Sequence, residues 1–260
     1  MSSATQGFAE ARLEILLQGP RETPHFETFT VSVPAEAKVL DALDAVWAER
    51  DHGVLFRRAC HHSSCGACAM RINGRERLPC ITPYRVAASE RTPVRLEPLR
   101  NMPVLADLVV DVSGFFNRMS ASDLVITRVA ESTLPLSVDP LPAGLEPRQI
   151  VAPDDIPDLT RFETCIECGI CISVCPSMAA DDGFLGPAAL AGIHRTREAT
   201  PDRGEAEHLL DLADSEDGVW RCHSSFECTA ACPQSVDPAG RIMSLRGQAV
   251  RRRWKRLWGM

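Results

Sequence analysis

Two related cysteine runs in the second half of the chain constrain its fold more than any other feature. The first run has the C-x2-C-x2-C-x3-C-P spacing that is typical of bacterial-type iron–sulfur proteins. Its residues are Cys165, Cys168, Cys171, Cys175 and Pro176. The second run, from Cys222 to Pro233, repeats the first except that Ser225 stands opposite Cys168. One of the eight thiolates that two complete runs would offer is therefore missing.

Ligation in two-cluster ferredoxins crosses between the runs, because the fourth cysteine of each run binds the cluster of the other. This rule gives a first site with four thiolates, which suits a [4Fe–4S] cluster: Cys165, Cys168, Cys171 and Cys232. It gives a second site with three thiolates: Cys175, Cys222 and Cys228. A cubane corner without a thiolate tends to lose its iron, so the second site is predicted to hold [3Fe–4S]. The alternative is a [4Fe–4S] cluster whose fourth iron binds the Ser225 oxygen, a hard ligand among soft ones.

Strand and helix patterns dominate the first hundred residues. Alternating and clustered apolar residues indicate strands, and apolar residues at helical spacing indicate a helix between them. The predicted elements are strands at 12–17, 26–33 and 94–99, a helix at about 37–50 with Trp47 on its buried side, and a hairpin turn at Asn73-Gly74. Two strands with a helix packed across them are the start of a small α+β fold.

A third cysteine group follows the predicted helix. Its residues are Cys60, Cys65, Cys68 and Cys80. The C-x4-C-x2-C spacing with a distant fourth cysteine is typical of plant-type [2Fe–2S] sites, and Gly66 can adopt the backbone angles that turn amide groups towards cluster sulfurs. A four-cysteine zinc site is the alternative, but zinc sites usually pair cysteines at both ends, and here the fourth cysteine stands alone.

These patterns predict two domains joined by a connection. The predicted fold class is an α+β N-terminal β-grasp plant-type ferredoxin domain over residues 1–112, followed by a mainly α-helical bacterial-ferredoxin-like domain over residues 158–260. Residues 113–157 are predicted to connect them and are Pro-rich in their second half, with six prolines over 133–157. Helices are predicted from Pro187 to about Ala199, over 205–213 and from Pro238 onward.

The eleven cysteines are all used by these three sites, which favours clusters over a mixture of clusters and spare thiols. The first residues lack the basic start and apolar run of a signal peptide, so metal ligation in a reducing compartment explains the cysteines better than disulfides do. No segment reaches the roughly 18 consecutive apolar residues of a membrane span. Any membrane attachment is therefore expected through other chains.

The net charge of −7 is unevenly distributed along the chain. Residues 241–260 contain seven Arg or Lys and no acid, which leaves 21 basic and 35 acidic residues in the rest. This acidic body argues against nucleic acid as a partner. The basic end also contains Trp254, Leu257 and Trp258, and two interpretations are open: cations that interact with a helix dipole, or a contact with anionic lipid headgroups or a membrane partner.

The order and spacing of the cysteine groups resemble those of the iron–sulfur subunit of the succinate dehydrogenase/fumarate reductase (succinate:quinone oxidoreductase) family. The fragments at 71–74 and 99–104 are similar to family sequence too. The resemblance implies a membrane-bound complex of the respiratory chain and tricarboxylic acid cycle. In it this chain would carry electrons from the FAD of a flavoprotein subunit through [2Fe–2S], [4Fe–4S] and [3Fe–4S] clusters to quinone. Membrane-anchor subunits, with or without haem b, would hold the chain peripherally at the cytoplasmic face of the inner (cell) membrane.

The resemblance also implies which residues lie near quinone. Carried over by position, these are Pro176, His223 and Ser225. Ubiquinone-using members typically carry tryptophan where this chain has Ala179 and Ala180, so either menaquinone or a quinone site shifted towards the anchor is expected. A solvent-facing or helix-capping role is the alternative for His223. The alternative function is an iron–sulfur adapter of a soluble fumarate reductase or hydroxy-acid oxidase complex.

Overall fold

The computed structural model describes residues 7–19, 23–89, 91–122 and 165–259. Within these ranges the strands are β1 (Phe8–Leu17), β2 (His25–Pro34), β3 (Met70–Ile72), β4 (Arg75–Arg77), β5 (Val94–Glu97), β6 (Val104–Ala106) and β7 (Val109–Val110). The helices are α1 (Val39–Glu49), α2 (Tyr84–Ala87), α3 (Ser113–Ala121), α4 (Ile170–Ser173), α5 (Pro176–Ala180), α6 (Pro187–Ala199), α7 (Arg203–Ala213), α8 (Glu227–Ala230) and α9 (Pro238–Leu257), and a 3₁₀ turn covers Val219–Arg221. The predicted proline-rich stretch at 133–157 lies outside the described residues.

The first half of the chain is built on a mixed sheet with strand order β2-β1-β5-β3-β4. β1 pairs antiparallel with β2 and parallel with β5, so that Leu13 is flanked by Phe29 on one side and Val94 on the other. The predicted hairpin is confirmed, because β3 and β4 pair antiparallel around Asn73 and Gly74, which both have positive φ. The loop that carries the first cysteine group begins after α1 and ends at β3, so the sheet fixes the position of its end.

One face of the sheet and the helix α1 form the first hydrophobic core. The alternation in β2 buries Phe29, Val31 and Val33, with 7%, 2% and 2% of their surface exposed, because successive side chains of a strand point to opposite faces. The prediction for Trp47 is wrong. Its side chain is 37% exposed and packs edge-on against the His52 ring, with ring centroids 5.1 Å apart, because it lies beside the buried stripe of α1 and not on it.

The second half of the chain is helical and has a core of its own. The predicted helices are confirmed in α6, α7 and α9, and α6 packs against both of the others. Phe184, Leu190, Ile193 and Ile242 are completely buried in this core. The helix α3 adds Phe115 and Met119 to it, among other residues of the cluster. Within the described ranges, none of the helices combines the length and apolar character that a bilayer crossing requires.

A third, smaller apolar cluster joins the two halves. Its buried residues are Leu40, Cys68, Leu78, Cys80, Leu99, Val110 and Ile170. Two of these are cysteines of the first group, and Ile170 begins the helix that carries Cys171. The junction between the halves therefore runs directly between the first and second cysteine groups.

Candidate metal centres

The first cysteine group lies in the loop between α1 and β3 and in the turn after β4. Cys68 and Cys80 are buried, with 3% and 4% of their surface exposed, whereas Cys60 and Cys65 are half-buried. The Ser64 backbone N–H donates to the Cys60 Sγ at 3.4 Å. The group therefore reaches from the surface of the loop to the junction with the helical half.

The thiols of the first group are close enough to change one another's acidity. Hydrogen bonds from the His62 backbone and with the Cys65 thiol lower the pKa of Cys60 to about 5. Burial raises the pKa of Cys68 to about 12, and repulsion from Cys80 and Cys65 adds to the rise. The four predicted ligands of the [2Fe–2S] cluster therefore lie together.

The second group lines one pocket between α4, α6 and the start of α9. Its residues are Cys165, Cys168, Cys171 and Cys232. Burial raises the pKa of the first three thiols, that of Cys168 to about 11, and repulsion between the thiols raises them further. Gly169, with φ of 76°, turns the chain between Cys168 and α4. Because burial and mutual repulsion oppose ionisation, these thiols form thiolates only when cations are bound beside them. The four residues therefore fit the donor set of a metal cluster.

The third group brings together cysteines from three short segments. Cys175 precedes α5, Cys222 ends the 3₁₀ turn and Cys228 lies in α8. Burial raises the pKa of Cys228 to about 12, and repulsion from Cys175 and Cys222 raises it further. Arg246 of α9 fixes this region by donating to the carbonyl oxygens of Val219 and Cys222 at 2.6 and 2.7 Å. The thiols of Cys175, Cys222 and Cys228 therefore lie near one another, as Cys232 lies near Cys165 and Cys168.

The second and third groups are neighbours. Repulsion from Cys228 is among the causes that raise the pKa of Cys171, together with burial and the thiols of its own group. The helix α4 connects both groups, because Cys171 of the second group lies in it and Cys175 of the third group follows it. In the described part of the chain, no three Cys, His, Asp or Glu side chains are arranged to hold a single metal ion.

The three residues carried over to a quinone site lie at the surface beside the third group. Pro176, the first residue of α5, is exposed, and so are His223 and Ser225. The His223 backbone N–H donates to the Ser177 Oγ at 3.2 Å. This hydrogen bond holds the segments that follow Cys175 and Cys222 side by side.

Asn101 is a residue of the site region that the pattern of cysteines did not reveal. Its Nδ2 donates to the carbonyl oxygens of Ile172, Ser173 and Cys175 at 2.8, 3.1 and 3.0 Å. Two of these carbonyls belong to the last two residues of α4, and the third belongs to Cys175, which precedes α5. Asn101 therefore ties the first half of the chain to the helix between Cys171 and Cys175. The one sequence signal was its place in the 99–104 fragment, which is similar to family sequence.

Glu76 makes a second tie between the halves. Only 4% of its side chain is exposed, and its Oε1 accepts hydrogen bonds from the Ser173 Oγ at 2.9 Å and the Arg100 Nη2 at 3.0 Å. The Ser173 Oγ in turn accepts from the Arg100 backbone N–H at 2.8 Å. A lone glutamate in a three-residue strand carries no pattern that would identify it from sequence.

Comparison with known proteins identifies the family. The model of a 2Fe-2S iron-sulfur cluster binding domain matches residues 12–117, and that of a 4Fe-4S dicluster domain matches residues 161–236. The fumarate reductase iron-sulfur subunit of Mycobacterium tuberculosis is 37% identical over 239 residues, which cover 91% of this chain and 92% of that protein. The chain belongs to the family of succinate dehydrogenase and fumarate reductase iron–sulfur subunits. The resemblance predicted from the cysteine spacing is thereby confirmed.

Other members of the family match over a similar length. The fumarate reductase iron-sulfur subunit of Haemophilus influenzae is 32% identical, with 88% of this chain and 89% of that protein covered. The mitochondrial succinate dehydrogenase [ubiquinone] iron-sulfur subunit 2 of Oryza sativa subsp. japonica is 31% identical, with 87% and 70% covered. A chain of the Mycobacterium smegmatis Sdh1 complex in the apo form superposes with a TM-score of 0.74 and 26% identity, covering 95% of this chain and 98% of that chain.

As a member of this family, the chain is an iron–sulfur electron-transfer subunit of an oxidoreductase complex. A [2Fe–2S] domain containing strands precedes a helical [4Fe–4S] domain, as the sequence predicted. The match to a 2Fe-2S domain over residues that include the first cysteine group argues against the zinc alternative.

Proposed function

We propose that this subunit carries electrons from the FAD of a flavoprotein subunit to quinone through three clusters. The proposed ligands of [2Fe–2S] are Cys60, Cys65, Cys68 and Cys80. Those of [4Fe–4S] are Cys165, Cys168, Cys171 and Cys232, and those of [3Fe–4S] are Cys175, Cys222 and Cys228. When bound, the clusters supply reversible one-electron chemistry.

The observation that carries this proposal is the unbroken contact between the three cysteine groups. The loop of the first group touches the second group at Gly66, where an added Cβ would stand 2.7 Å from the Cβ of Cys168. The second group meets the third where Cys228 affects the pKa of Cys171. A series of redox centres held this close together is what electron transfer across a subunit requires.

The chain's own residues tune and shield the centres. In each group a backbone amide donates to a sulfur at 3.4 Å: Ser64 to Cys60, Val236 to Cys232 and Ser224 to Cys222. Hydrogen bonds to cluster sulfurs and exclusion of water both shift reduction potentials. The exposure of the first group differs from that of the second, so the two are expected to have different potentials.

The missing thiolate supports [3Fe–4S] at the third group. Ser225, the residue at the vacant ligand position, is exposed, and its hydroxyl is a harder ligand than the three thiolates. Electrons would leave the chain here, close to Pro176, His223 and Ser225. Ala179 and Ala180, also exposed, are small where ubiquinone-using members carry tryptophan, and this favours menaquinone as the acceptor.

The remaining parts of the proposal concern architecture and location. The strand order β2-β1-β5-β3-β4 with α1 across the sheet supports a β-grasp core, with domains at 1–112 and 158–260 and a connection at 113–157. Membrane-anchor subunits, with or without haem b, would hold the complex peripherally at the cytoplasmic face of the inner membrane.

The test is low-temperature electron paramagnetic resonance of the natively purified complex. We expect an oxidised-state [3Fe–4S] signal in the air-oxidised complex that disappears when succinate is added, while a reduced [2Fe–2S] signal appears. A quinone analogue should reoxidise the clusters. Clusters that respond to dithionite and ignore succinate would contradict the proposed donor, and absence of a [3Fe–4S] signal would contradict the assignment of the third group.

A further inference from the structure

The last two turns of α9 divide their basic residues into two classes. Arg252 and Arg253 fold back onto α7, where the Arg252 Nη2 lies 2.9 Å and the Arg253 Nη2 lies 2.6 Å from oxygens of Asp214. Arg252 also pairs with Asp211 at 2.7 Å. These two arginines fasten the helix to the helical core and are not available to a partner.

The other three cations point into solvent. Arg251, Lys255 and Arg256 are exposed, and none of their side chains makes an ion pair or hydrogen bond within the described part of the chain. The helix dipole accounts for cations in the last turn, which includes Lys255 and Arg256. It does not account for Arg251, one turn earlier.

Large apolar side chains are exposed between these cations. Trp254 is 61% exposed, Leu257 80% and Trp258 70%. The two indole rings stack on each other at 6.3 Å between centroids with 24° between their planes. Exposed apolar groups that adjoin one another mark an interaction surface more often than chance.

Helical spacing puts four of these residues on one side of the helix. Trp254, Lys255 and Trp258 follow Arg251 by three, four and seven residues, and all four line a groove together with Arg197 of α6. Glu207 is the acid in this groove, and it lies 3.5 Å from Arg252. The surface therefore combines uncompensated positive charge with tryptophan.

We propose that this basic and aromatic surface of α9 binds anionic phospholipid headgroups directly. Tryptophan and Lys or Arg are the residues that favour the boundary between water and lipid. The rest of the chain is acidic, with 35 acidic and 21 basic residues outside 241–260, so an anionic bilayer would repel the body and attract this end. The chain would then touch the membrane with its own residues, in addition to any contact through other subunits.

The test is vesicle co-sedimentation of the full chain carrying its clusters. We expect binding to phosphatidylcholine vesicles that contain about 30 mol % phosphatidylglycerol, and weak binding to phosphatidylcholine alone. The triple variant Arg251→Gln, Lys255→Gln, Arg256→Gln should lose about fivefold in affinity for each cation removed. Added salt should weaken vesicle binding by the wild-type protein, and it should weaken binding by the triple variant much less.

The matched control removes three exposed arginines elsewhere: Arg75→Gln, Arg77→Gln and Arg85→Gln. It changes net charge equally and should bind like wild type. A second variant, Trp254→Ala with Trp258→Ala, should weaken binding and reduce its retention at high salt. The proposal is overturned if wild type ignores anionic vesicles, or if control and triple variant lose affinity equally. Failure of this proposal would leave the cluster spectra and their response to succinate unchanged, so it is distinct from failure of the proposed function.

Discussion

The Cα of Gly66 lies so close to Cys168 that a Cβ on the glycine would stand 2.7 Å from the Cys168 Cβ and 2.6 Å from the Ile166 carbonyl oxygen. Gly66 belongs to the loop of the first cysteine group, and Cys168 to the second group. The two loops therefore approach to a distance that no side chain other than hydrogen allows.

We predict that Gly66→Ala disturbs the relation between the first two clusters. The new methyl group meets backbone atoms that cannot move aside cheaply, and the φ of 67° adds strain. We expect a stability loss of about 2–4 kcal/mol and slower reduction of the second cluster in stopped-flow absorbance after succinate addition. Gly74→Ala is the control, because Gly74 has φ of 77° and its added Cβ would lie 4.0 Å from the Arg71 Nη2. Equal losses in the two variants would show that backbone strain alone is responsible.

Asn101 is predicted to hold the end of α4 in the position that the clusters need. Replacing Asn101 with Asp puts an acceptor where three carbonyl oxygens now receive a donor, and we expect a cost of about 2–4 kcal/mol with faster cluster loss. Bleaching of the visible absorbance in urea measures this rate. Asn101→Gly, which tolerates the φ of 60°, should show a smaller effect, and Asn73→Asp in the exposed hairpin smaller still. If Asn101→Asp retained its clusters like wild type, the carbonyl contacts would not be needed for assembly.

The third group offers a change of cluster type by one substitution. Ser225→Cys restores the missing thiolate, so after anaerobic reconstitution with iron we expect the [3Fe–4S] signal to be replaced by that of a [4Fe–4S] cluster in electron paramagnetic resonance. Ser224→Cys places the thiol one residue away and should leave [3Fe–4S] unchanged. A persistent [3Fe–4S] signal in Ser225→Cys would contradict our account of the vacant ligand position.

Asp214 gives a prediction about pH. Burial raises the pKa of its carboxyl, but hydrogen bonds from Arg253, Trp220 and Arg252 outweigh this and lower the pKa below its ordinary value. A lowered pKa stabilises the folded state above the unfolded pKa of about 4, and this stability is lost as the pH falls through the folded value. The backbone amides at the end of α9 should therefore be less protected from hydrogen exchange in acid.

Amide hydrogen exchange over residues 250–257, labelled in short pulses, measures this protection. Asp214→Asn should lower it at neutral pH by about 1–3 kcal/mol, and the difference from wild type should shrink below about pH 4. Asp202→Asn, at the other end of α7, removes a carboxylate that caps the helix through Gly204 and Glu205. It should change neither the protection at neutral pH nor its dependence on pH. A difference that stayed constant with pH would mean that charge at Asp214 does not stabilise the helix.

The sequence predicted best those features that leave a local pattern. Pro187 marked the first residue of α6 because its fixed φ suits the start of a helix, and the apolar alternation in residues 26–33 predicted β2. The cysteine spacing predicted the family, because cluster ligation requires cysteines at characteristic intervals. These signals are carried by neighbouring residues and need no knowledge of distant contacts.

Features that depend on distant partners were not predictable. The small hairpin of β6 and β7 was missed because each strand is too short to show alternation. Glu76 and Ser173 are 97 residues apart, and no sequence pattern around either residue indicates that they form a hydrogen bond. Trp47 was placed in the core because periodicity assigns a face to a residue without measuring how far the covering layer extends.

The helix α9 also fixes a length and an angle. Its N-cap residue is Asp237, whose Oδ1 accepts a hydrogen bond from the Thr229 Oγ1 at 2.8 Å. Thr229 directly follows Cys228, and the helix continues for 20 residues without a break. A helix of that length spans about 30 Å and turns about 100° with each residue. Inserting one residue would therefore rotate Trp254 and Trp258 by more than a quarter turn relative to Cys228, whereas seven residues would restore the angle to within about 20°. Natural variation in the length of this helix should accordingly occur in whole turns.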